Sequence, residues 1–273
     1  MKRLLVVADD LGLTPGVNEG IASAYRNGIL TSASWLTNTA HFHQTLALLK
    51  DLEGLGVGIH LTLVGGRPVL SPDQVATLTT PEGAFRGSWR RFLAAWFAGR
   101  VRVEEIRAEW RAQVARAVEA GIRPAHLDSH QHLHVLPGLW SVAWDLAREF
   151  GVSRVRLPRE SGPFPVGTPL SRRMIRWVLH SLCPIPPVEG PVRCSDHCFG
   201  ISQAGHLDLP GLLSLLRGLP EGDSELVTHP GFPDAQLRRE YRWGYDWAEE
   251  TRALTSEEAQ REVARLGISL GRH

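Results

Sequence analysis

Short apolar runs alternating with helix-period segments constrain this chain more than any other feature. Leu4 to Ala8 is an apolar run suited to a strand buried on both faces, and Asn18 to Asn27 has helical spacing that stops near Gly28. The unit recurs. Ser32 to Leu36 predicts a strand, His43 to Leu52 a helix and Val57 to Leu63 a strand, divided by Gly, Asn and Thr clusters. Val103 to Ala120 predicts a helix with Ile106, Trp110, Val114 and Ala117 on one stripe, ended by Gly121. Further strands read at Pro124 to Asp128, Arg154 to Leu157 and Glu225 to Thr228, with a helix near Leu139 to Phe150. Thr255 and Glu258 have capping-box spacing before a last amphipathic helix. Repeated βα units imply an α/β fold with a parallel sheet, and about seven strands fall just short of the eight of a complete (β/α) barrel. Residues 64–88 hold many Gly, Pro, Ser and Thr and predict a long loop, while the Pro- and Gly-rich stretch 158–200 is the least readable.

A length of 273 residues suits one large α/β domain, so residues 1–273 are read as a single catalytic domain. The chain is 22% charged with a formal net charge of +1, which gives no reason to expect a nucleic-acid partner. No stretch approaches the roughly 18 apolar residues of a membrane span. Asp9 and Asp10 interrupt the apolar start too early for a secretion signal, so a cytoplasmic location is expected. Cys194-Ser-Asp-His-Cys198 has a spacing that could hold zinc, but no second ligand pair lies nearby, and unpaired thiols in a loop are the preferred reading.

The polar residues that need explaining follow the predicted strands, the edge at which β/α barrels build active sites. Asp9 and Asp10 end the first strand, where adjacent carboxylates repel each other unless a cation or hydrogen bonds compensate. Adjacent strand residues point in different directions, so one could hold an ion while the other reaches its water. A helix-capping loop is the competing reading. In His126-Leu-Asp128-Ser-His130-Gln-His132-Leu-His134, five ionisable side chains alternate and share a face wherever the segment is extended. Such a face has no packing rationale in an α/β core, whereas metal binding or proton transfer supplies one. His60 lies in an otherwise apolar strand and reads alone as a core residue. His229, in Thr-His-Pro-Gly, ends the last strand on a turn that could aim its ring inward. Tyr241, Trp243, Tyr245 and Trp247 alternate beyond it and suit either a sugar face or a subunit interface.

Taken together, Ala8-Asp9-Asp10-Leu11-Gly12, the Gly-Ile-His60-Leu strand, the His126 to His134 run and His229-Pro-Gly resemble the YdjC-like carbohydrate deacetylases, the family of the chitooligosaccharide deacetylases. Leu11 departs from the Phe common in relatives. The resemblance implies a distorted (β/α) barrel related to the polysaccharide deacetylases, and a divalent metal ion on Asp10, His60 and His130. It further implies Asp9 as general base, His229 as general acid and Arg156 as a partner of Asp9. Mg²⁺ is the ion it favours, although one carboxylate with two imidazoles also suits Zn²⁺. The implied substrate is an N-acetylated mono- or oligosaccharide, and a homodimer is allowed. Two rivals stand beside this reading. One is a metal-dependent phosphoesterase, for which no Gly-rich phosphate loop is found; the other is a non-catalytic carbohydrate-binding protein, which would need no positioned base.

Overall fold

The computed structural model describes residues 1–271 except 163, 165–167 and 188–189. Among the described residues, seven strands alternate with helices in the order β1 (Lys2–Leu11), α1 (Pro15–Asn27), β2 (Ser32–Trp35), α2 (Phe42–Lys50), β3 (Gly56–Leu61), α3 (Trp89–Phe97), α4 (Val103–Glu119) and β4 (Leu127–Ser129). There follow α5 (Leu139–Glu149), α6 (Leu170–Leu182), β5 (His197–Phe199), α7 (Leu209–Arg217) and β6 (Gly222–Thr228). The chain continues with α8 (Ala235–Glu240), α9 (Trp247–Thr255), α10 (Glu257–Arg265) and β7 (Ser269–Leu270).

All strand pairs are parallel, in the order β4-β3-β2-β1-β6-β5, with β7 on the start of β1. β1 is central, and every residue from Leu4 to Leu11 is buried, the apolar run Leu4 to Ala8 as expected and Asp9 and Asp10 along with it. The predicted strand at Arg154 to Leu157 forms only bridges, but they join the two ends of the sheet. Leu127 N donates to Arg154 O at 2.9 Å and Arg156 N to Leu127 O at 2.9 Å, while Val155 N donates to Arg193 O at 3.0 Å. Beyond these, Ser161 N donates to Cys198 O at 2.8 Å. The sheet therefore closes into a distorted barrel through a seam of isolated bridges between β4 and β5.

Helices start where side chains satisfy their free N–H groups. Thr14 caps α1 by accepting from Val17 N at 3.3 Å, and Pro15 stands where no donor is needed. The cap of α10 is Ser256, which accepts from Ala259 N at 3.1 Å, whereas Thr255 is the last residue of α9. The predicted stripe Ile106, Trp110, Val114 and Ala117 is fully buried on α4. Between β3 and α3 the chain forms the expected long loop, and carboxylates of α4 pin it. Glu109 accepts from Val69 N at 2.8 Å and Leu70 N at 3.0 Å, and Glu105 from Thr77 N at 2.8 Å.

Candidate active site

β1 ends in a bulge, because its register with β2 shifts between Ala8 and Leu11, and Asp10 sits in the left-handed region at φ 67°. Simple alternation would have sent the two carboxylates apart. The bulge brings both toward one imidazole: His60 Nε2 lies 3.5 Å from Asp10 Oδ1 and 3.9 Å from Asp9 Oδ2. Asn18 secures the turn beyond by accepting from Gly12 N at 2.7 Å.

The histidine run is extended only as far as Ser129. A 3-10 turn over His130–Val135 then breaks the alternation, with Gln131 at φ 59° and His132 at φ 54°. The shared face expected wherever the segment is extended therefore ends with the strand, and the residues divide into different tasks. His130 turns its Nδ1 to 2.9 Å from Asp10 Oδ1, and its ring meets His60 edge-on at a centroid distance of 5.5 Å. Asp128 accepts from His60 Nδ1 at 2.8 Å, which leaves His60 Nε2 facing Asp10. His126 bonds Ser34 Oγ at 2.9 Å, and Ser34 Oγ donates to Asp128 Oδ2 at 2.7 Å. His134 donates from Nε2 to Arg156 O at 2.9 Å, with Nδ1 at 2.6 Å from Ser129 Oγ, and so braces the seam. His132 is half-buried and joins neither group.

Asp10, His60 and His130 are buried, and their ligand-type atoms lie within 4.8 Å of one another. Asp10 Oδ1 is buried with no aligned hydrogen-bond donor, although two imidazole nitrogens face it. A carboxylate oxygen and two imidazoles converging in this way fit a divalent cation. Asp9 stands beside them, gripped by Arg156 through Nη1 to Oδ2 and Nη2 to Oδ1, both at 2.8 Å. Arg156 also places Nη1 2.7 Å from Asp128 Oδ2 and donates from Nε to Glu225 Oε1 at 2.5 Å.

Burial alone would raise the carboxylates, yet His130, His60 and His229 outweigh it and hold Asp10 well below its ordinary range. Asp128 is lowered against the same burial penalty by Arg156 and His60. Burial works against a charged His60 as well, but Asp128, Asp9 and Asp10 together push it up to about 9. Burial brings His126 and His134 down to about 4, so both rings are neutral.

His229 follows β6 and is buried, with its Nδ1 lacking a partner. Glu250, buried in α9, accepts from His229 N at 2.5 Å and from Leu207 N at 3.2 Å. Gly20 lets α1 approach the turn after His229, since a Cβ there would lie 2.2 Å from Gly231 Cα. Trp243 faces His130 at 5.5 Å and Tyr245 faces His229 at 5.2 Å, so both half-buried rings wall the site. Sequence reasoning missed Ser34, Glu225 and Glu250. Each acts through a partner remote in sequence, and a Glu in a strand or a helix carries no local signal of burial. Cys194 and Cys198 are unpaired and form part of no metal-ligand group among the described residues.

Comparison with known proteins places the chain. The sequence profile of the family described as YdjC-like protein matches residues 3–265. A protein named carbohydrate deacetylase from Brevibacillus brevis is 32% identical over 269 residues, spanning 98% of this chain and 97% of its own. One of the same name from Mus musculus is 33% identical over 85% of this chain and 78% of its own. The crystal structure of a candidate cellobiose-phosphate cleavage protein from Enterococcus faecalis superposes with a TM-score of 0.78 at 28% identity, covering 99% of this chain and 97% of that one.

Proposed function

Because the chain belongs to the YdjC-like protein family, we propose that it is a carbohydrate deacetylase, a metal-dependent hydrolase that removes acetyl groups from N-acetylated sugars of the chitooligosaccharide type. The observation that carries this is the convergence of Asp10, His60 and His130 on the unsatisfied Asp10 Oδ1, with Asp9 alongside. Relatives named carbohydrate deacetylase support the substrate class. Residues 1–273 act as one catalytic domain in this reading, working in the cytoplasm.

Asp10, His60 and His130 would hold a divalent cation, which when bound would polarise the acetamide carbonyl and ease deprotonation of water. Mg²⁺ is favoured on family resemblance, and Zn²⁺ is the rival that the donor set suits. Asp9 accepts the proton of the attacking water on its carboxylate, and Arg156 fixes the direction in which that carboxylate points. His229 delivers a proton to the departing sugar amine, held in place by Glu250 through its backbone N–H. Trp243 and Tyr245 offer flat apolar faces to a pyranose ring and exclude water around the reacting bond.

The test is acetate release from mono- and di-N-acetylglucosamine compounds after chelation, with Mg²⁺ or Zn²⁺ restored in turn. Release that depends on a cation supports the reading. Phosphate release from an aryl phosphate with no acetate from any N-acetyl sugar would overturn it, as would tight sugar binding without turnover under every cation.

A further inference from the structure

The donor atoms of the site form two overlapping triads. Asp10, His60 and His130 make the first, and Asp9, His60 and Asp128 make a second, likewise buried and gathered within 4.8 Å. The carboxylates of the second triad already share a cation. Arg156 Nη1 lies 2.8 Å from Asp9 Oδ2 and 2.7 Å from Asp128 Oδ2, Nη2 completes the fork on Asp9 Oδ1 at 2.8 Å, and Nε reaches Glu225 Oε1 at 2.5 Å. Two cation positions side by side are the ground plan of a two-metal hydrolytic centre, with His60 Nε2 serving only the first because its Nδ1 donates to Asp128. Here one of them is taken by a side chain.

We propose that the Arg156 guanidinium permanently occupies the second cation position of a latent two-metal site, keeping the centre mononuclear and keeping Asp9 out of metal coordination. This rests on the reading that Asp10, His60 and His130 hold a divalent ion. Arginine suits the task because its charge is permanent and its planar fork matches a carboxylate at two points. An exchangeable ion at that place would draw the lone pairs of Asp9 into its own shell, leaving no free base. Glu225 seats the guanidinium from behind, and with Asp9 and Asp128 it would leave three buried carboxylates around the vacated space if the charge were removed. Oxygen donors in that number are what Mn²⁺ and Mg²⁺ select.

The full chain, stripped with chelator and free of sugar, is titrated with Mn²⁺, and the bound equivalents are read by calorimetry and by the paramagnetic resonance of the ion. Wild type and Arg156→Lys, which keeps the charge, should bind one equivalent. Arg156→Ala should bind two, with the resonance broadened by coupling between neighbouring ions. A folded Arg156→Ala that binds one equivalent overturns the proposal, as does a wild type that binds two at the site. Should Arg156→Ala fold only with cation present, recovery with two bound ions supports it, and failure to fold at every Mn²⁺ concentration overturns it. A wild type that binds no divalent ion at all removes the metal reading beneath the proposal, which is a separate and recognisable outcome.

Discussion

Single residues in the site divide into those that would touch an ion or a substrate and those that hold them. Asp9→Asn keeps the shape of the base but not its proton affinity, so acetate release should fall about 10²- to 10⁴-fold while metal content is unchanged. Near-normal turnover in that variant would reject Asp9 as the base. Asp128 acts one step back, through His60 Nδ1. Asp128→Asn should weaken metal affinity by about 10- to 100-fold, read by titration against a chelator of known affinity. His60 also supplies a pH signature in metal-free protein. Its folded value of about 9 lies above the ordinary 6.5, so its contribution to stability is fully present below pH 6.5 and is lost as the pH climbs through 9. The melting temperature of chelated protein should therefore fall across that window, and His60→Gln should flatten the decline. Asp9, Asp10 and the His126 to His134 run stood out in the sequence because clustered ionisable groups beside an apolar strand are conspicuous, whereas His60 alone read as a core residue and the assignment of Asp10, His60 and His130 as ligands came from family resemblance. Arg156 needed family resemblance, and Glu225 was silent because its meaning lies in a contact 69 residues away.

At the level of elements, legibility followed length and burial. β1 and β3 were found because long buried strands write themselves as largely apolar runs, whereas β6 was read only over Glu225 to Thr228 because it opens on polar residues. β5, three residues long, was missed inside a Pro- and Gly-rich stretch, and β7, with two exposed residues, has no pattern to show. Alternation failed at the histidine run because it assumes continuous extension, and the left-handed Gln131 and His132 end the strand early. Close approach between elements was equally hidden. A Cβ on Gly58 would stand 2.3 Å from the His126 ring, so β3 admits that ring only because residue 58 has no side chain. Gly58→Ala should cost about 1–3 kcal/mol in denaturant unfolding through overpacking, and should loosen the Ser34–Asp128–His60 relay behind the metal ligands. An unchanged unfolding midpoint together with unchanged metal affinity would show that the ring moves aside freely.

For the whole molecule, the barrel and the site are one construction, since the proposed ligands come from β1, β3 and the turn after β4, strands spread across the sheet. An ion bound there cross-links them, and mass action should raise stability by about 2.7 kcal/mol at a concentration one hundred times its dissociation constant. Thermal unfolding across a cation series checks this, and Asp10→Ala should abolish the dependence. The parallel sheet was legible at this scale, but the way it closes was not, because isolated bridges leave no periodic trace in a sequence. That seam has a kinetic consequence. Backbone held by single bridges opens at lower free energy than a strand paired along its length, so amide protons of Val155 and Arg156 should exchange with solvent deuterium well before those of Val6 and Val7. In the proposed reading Arg156 aims the base, so an opening wide enough to carry its side chain along would leave Asp9 without direction until the stitch closes again.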